Sequence, residues 1–320
     1  MEIDHNFLNK FKDFSDKKKD KKQSSELPGE VISRNNVQFL TTTNSREFKN
    51  FGLPERDIFN NAYNKTLGLL YGVRDKKAGK ILARGIKDLK DASGHDQFKV
   101  EAGFILSALE KDIHAVKEVL SSRFSPSHRL YYLLTSFFKP EELLFVDIET
   151  KSLFFETSII EIGAGYFEGS KFTVKQFTCL SDAAEYEILE EFTKLLPGKK
   201  AFVTFNGRTF DIPFIDGRMS YYGGTSFKGD ILEMHNFDLL HFSRCCYKRE
   251  FDSYRLKAME VQVLGKEREG DIDGSEIQIY FENYVRTQDP KYIEPIIYHN
   301  REDIYALVML MERLTERWIV

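Results

Sequence analysis

Cysteine is scarce in this chain, and the shortage settles a first property. Three Cys stand among 320 residues, at Cys179, Cys245 and Cys246, with no CxxC pair and no even framework. The adjacent Cys245 and Cys246 are poorly placed to bridge each other. A disulfide-stapled scaffold is thereby excluded, and a reduced, cytoplasmic protein is expected. Long apolar runs are missing as well: no window approaches the roughly 20 residues that cross a bilayer, so no membrane segment is expected. The opening Met-Glu-Ile-Asp-His turns lysine-rich without an apolar stretch, and no signal peptide is expected from it. The chain carries no internal repeat and no base-reading motif.

What is present supports an ordinary globular core. The hydrophobic fraction is 42%, with 28 Phe, and the length allows two domains or one domain with a large extension. Formal net charge is -4, but it is unevenly spread. Residues 1–140 hold 25 Lys and Arg against 18 Asp and Glu, a balance of +7, and residues 141–320 hold 21 against 32, a balance of -11. An acidic half beside a basic one suits a metal site next to a surface for phosphate backbones, and equally suits two solvated surfaces.

Residues 1–30 run through Lys17-Lys18-Lys19-Asp20-Lys21-Lys22 and bury too little to order themselves, so a disordered basic tail is expected. Residues 31–137 read as an accessory domain or extension. They offer a strand over 37–42, a strand or buried bend over 66–73, and a helical period over 102–120. The second half is clearer. Residues 143–150, Leu-Leu-Phe-Val-Asp-Ile-Glu-Thr, read as a buried strand ending in two acids. Strands follow over 158–167 and 172–178, with Ser181 expected to cap a helix over 183–196 whose glutamates Glu185, Glu187, Glu190 and Glu191 face solvent. Residues 201–205 form a further strand, and helical stretches come at 237–242, 254–264, 275–285 and 301–318. Strands, a helix, a strand and then helices describe an α/β fold with a mixed sheet flanked by helices.

Asp147 and Glu149 are two apart, so on a strand they share a face while Ile148 points away. Side by side they repel unless a cation, most simply a divalent metal, lies between them. On this segment alone the acids equally mark a strand end in water. Asp211 follows the 201–205 strand, where open α/β sheets place ligands, although it also reads as a helix-start residue. His299 and Asp303 are four apart on one face of the last helix, with Glu302 off that face and expected in solvent.

In this order the residues resemble the DEDD superfamily of 3′–5′ exonucleases within the ribonuclease H-like fold. The resemblance rests on Asp147 and Glu149 in Phe-Val-Asp-Ile-Glu-Thr, on Asn206 with Asp211, and on His299 with Asp303. More narrowly, Asp238-Leu239-Leu240-His241, residues 255–260, Leu264-Gly265 and residues 270–277 (Gly-Asp-Ile-Asp-Gly-Ser-Glu-Ile) resemble the bacterial YprB-like ribonuclease H-like proteins. It covers about residues 138–320.

The resemblance implies a metal-dependent 3′–5′ exonuclease acting on DNA or RNA, with a single strand or a 3′ end as partner. Asp147, Glu149, Asp211 and Asp303 would hold two Mg²⁺ or Mn²⁺ ions, and His299 would act beside them. One departure stands out: His299 lies four positions before Asp303, where the family places a tyrosine, and Tyr298 lies five before. His299 is preferred as the base because it aligns with Asp303 and titrates near neutrality. Asn206 either positions Asp211, touches substrate or closes a strand-end hydrogen bond. Arg208, Arg218, Lys248, Arg249, Arg255 and Lys257 are candidates for a positive face, and Phe210 for base stacking. A structure-specific endonuclease and a non-catalytic nucleic-acid-binding protein are the alternatives.

Overall fold

The computed structural model describes residues 26–319 except 153, 155, 227 and 228. The tail through residue 25 lies outside the described residues. The strands are β1 (Glu30–Arg34), β2 (Val37–Glu47), β3 (Leu143–Thr150), β4 (Ile159–Glu168), β5 (Lys171–Cys179), β6 (Ala201–Thr204) and β7 (His235–Asp238). They join one sheet in the order β1-β2-β5-β4-β3-β6-β7, with β6 parallel to both β3 and β7 and the other pairs antiparallel. This is the expected mixed sheet.

The helices are α1 (Arg56–Lys65), α2 (Asp75–Leu82), α3 (Leu89–Ser93), α4 (Lys99–Glu110), α5 (Ile113–Ser121), α6 (Arg129–Leu133), α7 (Glu185–Thr193), α8 (Asp211–Tyr221), α9 (Leu239–Cys246), α10 (Leu256–Met259), α11 (Ile277–Thr287) and α12 (Glu294–Ile319). The pleat of β3 sorts its residues between two cores. Leu144, Val146 and Ile148 pack with Ile188 of α7, Phe214 of α8 and Phe281 of α11. Leu143 and Phe145 pack with Leu307 and Met311 of α12, together with Phe59, Ile105 and Val116 of the N-terminal helices. Each such side chain, fully buried, contributes about 1.5–3 kcal/mol. Asp147 and Glu149 continue the Leu143–Phe145 face, so the pleat turns them toward α12.

Several local expectations change. Residues 67–69 form a 3₁₀ turn with Leu67 and Leu69 buried, which is the bend and not the strand. The 102–120 period splits into α4 and α5, because Asp112 accepts from the Ala115 amide and starts a new helix. Ser181 makes no side-chain cap; residues 182–184 form a 3₁₀ turn before α7. Residues 235–238 are strand β7, so the 237–242 stretch opens as strand and is helical from Leu239 on. The last helix begins at Glu294, which sets His299 in its second turn.

The acids expected in water are mostly inside. Glu185, Glu187 and Glu191 are buried: Glu185 pairs with Arg218, while Arg34 pairs with both Glu187 and Glu191. Glu302 is also buried, 2.6 Å from Arg46 and 2.7 Å from Lys266.

Candidate metal centre

The centre is built at the carboxyl end of β3. Asp147 lies opposite Gly163, and Glu149 opposite Glu161, in the β3–β4 ladder. Asn300, fully buried on α12, donates through Nδ2 to the Asp147 carbonyl at 3.1 Å and to Asp147 Oδ2 at 2.9 Å. Gln176 Nε2 donates to Asn300 Oδ1 at 3.0 Å and to Glu161 Oε1 at 2.9 Å. A buried amide network thus fixes one oxygen of Asp147 from behind.

The β6–α8 turn brings in Asp211, the first residue of α8 and buried. Its Oδ1 accepts from the Ile148 amide at 3.0 Å, which stitches it to β3 between Asp147 and Glu149. Asn206 sits in the left-handed region, at φ 70°, with its N–H donating to Asp238 Oδ1 at 2.8 Å. Its own Oδ1 accepts from Thr209 Oγ1 at 3.0 Å. These contacts make Asn206 a brace of the turn. Arg208 is exposed; Phe210 is half-buried against Phe214, ring centroids 5.4 Å apart.

α12 supplies the rest. His299 Nε2 lies 3.9 Å from Glu149 Oε1 and 3.6 Å from Asp303 Oδ2. Ligand atoms of Glu149, His299 and Asp303 fall within 4.8 Å of one another, and this is the metal-capable cluster among the described residues. Tyr298 is half-buried with the Arg301 guanidinium 5.6 Å from its ring. Three residues that the sequence reading left without a role also belong here. Arg268 lies 2.5 Å from Asp303 and 2.6 Å from Glu260. Asp271 meets His299 Nδ1 at 2.9 Å. Asn300 is the third. Asp271 and Asn300 stood inside or beside recognised segments, but nothing in the one-dimensional sequence tied either to its partner.

Charge is concentrated without full compensation. Burial, then the negative charges of Asp303 and Asp211, raises the Asp147 carboxyl well above the usual range. Burial and the Asp147 and Asp303 charges do the same to Glu149. Burial pushes Asp211 up to about 7 against its hydrogen bond from Ile148. Burial opposes charge on His299, yet its bond to Asp271 and the Asp303 charge raise its pKa. Hard oxygen donors that mutually resist ionisation fit a divalent cation such as Mg²⁺ or Mn²⁺.

A recess of about 210 Å³ opens beside the centre, lined in part by Arg255, Lys257, Arg268, His299 and Asp303. Arg218, expected on the positive face, is not available to it. Its guanidinium is buried and donates to Glu185 at 2.7 and 2.5 Å. Among the described residues no helix is long and apolar enough to cross a membrane.

The mixed sheet, its flanking helices and the acidic cluster at the end of β3 define a ribonuclease H-like protein. A family model described as the RNase H superfamily matches residues 144–315, more than half of the chain, and the chain belongs to that superfamily. It is 25% identical over 182 residues to the uncharacterized protein YprB of Bacillus subtilis (strain 168), covering 56% of this chain and 43% of that one. The chain therefore spans less than half the length of this curated relative. It also resembles the solved family B DNA polymerase of the hyperthermophilic archaeon Pyrobaculum calidifontis, at 14% identity and a TM-score of 0.41, over 57% of this chain and 27% of that chain.

Proposed function

We propose that the protein is a metal-dependent nuclease that hydrolyses phosphodiester bonds of DNA or RNA, working as a 3′–5′ exonuclease. The observation that supports this best is the arrival of acids from three distant segments at the end of β3. Asp211 is bonded to the Ile148 amide between Asp147 and Glu149, and Asp303 shares a 4.8 Å cluster with Glu149 and His299. In this reading Asp147, Glu149, Asp211 and Asp303 hold two Mg²⁺ or Mn²⁺ ions. When bound, such ions neutralise phosphate charge and acidify water. His299 accepts the proton of the attacking water at Nε2. Arg255 and Lys257, in the adjoining recess, hold backbone phosphate, and the Phe210 ring offers a surface to a terminal base.

The test is cleavage of end-labelled single-stranded DNA and RNA with Mg²⁺ or Mn²⁺, comparing wild type with Asp147→Ala. Stepwise 3′ shortening is expected, reduced about 100-fold or more in the variant. Cutting of a circular single strand would replace the exonuclease reading with an endonuclease. Equal inertness of both proteins toward substrates that they bind would remove the enzyme reading.

A further inference from the structure

Asp271 has no exposed side-chain surface, although it is a carboxylate in a loop before α11. Its Oδ1 lies 2.9 Å from His299 Nδ1, and its Oδ2 lies 3.5 Å from Arg268 Nη1 and 3.6 Å from Lys257 Nζ. Two cations and an imidazole N–H offset the cost of burying it. An ionised carboxylate only accepts, so Nδ1 must donate. Arg268 Nη1 also donates to the His299 carbonyl at 3.3 Å, which fixes the backbone independently of the ring. A histidine kept for packing alone would have both ring nitrogens satisfied inside. Here Nε2 instead faces Glu149 and Asp303, at 3.9 and 3.6 Å, beside the recess.

We propose that Asp271 is the positioning residue for His299: its carboxylate accepts Nδ1–H, selects that tautomer of the neutral ring, and leaves the Nε2 lone pair turned toward the Glu149–Asp303 cleft. The catalytic consequence rests on the nuclease reading; the ring geometry does not. In Asp271→Asn the amide oxygen turns to Arg268 and Lys257, so the amide N–H₂ meets Nδ1. The ring must then carry its proton on Nε2, with no lone pair left for water.

The test is long-range ¹H–¹⁵N correlation of the histidine rings, followed as pH is raised until the His299 ring shows the pattern of a single ring proton, with His299 assigned from His299→Gln. The wild type is expected to carry Nδ1–H and Asp271→Asn to carry Nε2–H. On end-labelled substrate, Asp271→Asn is expected to lower kcat roughly 10–100-fold at unchanged KM. A wild-type ring protonated at Nε2 overturns the assignment without any variant, even if Asp271→Asn fails to fold. An Asp271→Asn protein with the wild-type tautomer and full kcat overturns it equally. A wild type that shows the expected tautomers yet cleaves nothing overturns the nuclease reading and leaves the positioning role standing.

Discussion

At the scale of single residues, the centre depends on a side chain that is absent. A Cβ on Gly163 would stand 2.0 Å from Asn300 Oδ1 and 2.8 Å from its carboxamide carbon. Asn300 cannot yield freely, because it is fully buried and held by Gln176 and Asp147. Gly163→Ala is therefore expected to displace Asn300, costing about 1–3 kcal/mol by overpacking and weakening the rise in Tm that Mn²⁺ produces. Urea unfolding and thermal scans with and without Mn²⁺ measure both; a variant with wild-type values in each would refute the account. The same residues mark how far the sequence can be read. Asp147 with Glu149, and His299 with Asp303, were legible because strand and helix periods put them on shared faces. Asn300 and Asp271 were not, since their partners lie 153 and 28 positions away. Only the fold brings those pairs together.

At the scale of elements, α7 shows why a glutamate-rich helix need not be a wet one. Glu185 accepts from Arg218 Nε at 2.7 Å and Nη2 at 2.5 Å, from Tyr222 Oη at 2.9 Å and from the Ile159 amide at 2.8 Å. One carboxylate thus ties α7, α8 and the start of β4 together. Glu185→Ala strips the buried Arg218 of its counter-charge and is expected to destabilise the protein by roughly 3–5 kcal/mol. Glu185→Gln keeps most of the hydrogen-bond shape and is expected to cost less. Denaturant unfolding of both variants checks the order, and an alanine variant within 1 kcal/mol of wild type, on the scale of an exposed pair, would sink it. Patterning alone read α7 as solvated because, apart from Lys194 beside Glu191, its counter-ions lie on other elements: Arg34 on β1 and Arg218 on α8. Strand β3 was legible for the opposite reason, since an unbroken apolar run declares burial on both faces without reference to any partner. The break between α4 and α5 lay between these cases. The apolar period runs through it, and the capping carboxylate of Asp112 decides the boundary.

At the scale of the whole molecule, the N-terminal part of the chain supports the centre from behind. β2 continues the sheet beyond β5, and its Arg46 reaches Glu302, the neighbour of Asp303. The sheet and helices thus force several like charges together, and stability must respond to pH and to cations. Asp147 and Glu149 have raised pKa values, Asp211 is pushed up to about 7 and Glu161 to about 8 by burial. Between the ordinary carboxylate range and those values, the folded chain holds protons that the unfolded chain has lost. These groups contribute stability at low pH that disappears as pH rises through their folded pKa values. His299, raised above 6.5, adds in the same direction. Glu191, Glu302 and Asp271 are lowered and act oppositely, but their contribution is lost only as pH falls below the ordinary carboxylate range. His128 and His235, lowered by burial, the latter to about 3, also act oppositely as pH rises toward 6.5. From about pH 5 to pH 8 Asp147, Glu149, Asp211, Glu161 and His299 outnumber these two and set the sign. Without divalent cations, Tm is expected to fall across that interval. Mn²⁺ displaces the retained protons, so its stabilising shift should be larger at pH 8 than at pH 6. Asp147→Asn, with one buried charge removed, should flatten the metal-free slope and shrink the Mn²⁺ shift together. Scanning fluorimetry over that range measures all of these. A Mn²⁺ shift independent of pH, or greater at pH 6, would mean that the carboxylates at the end of β3 do not bind the ion as a group.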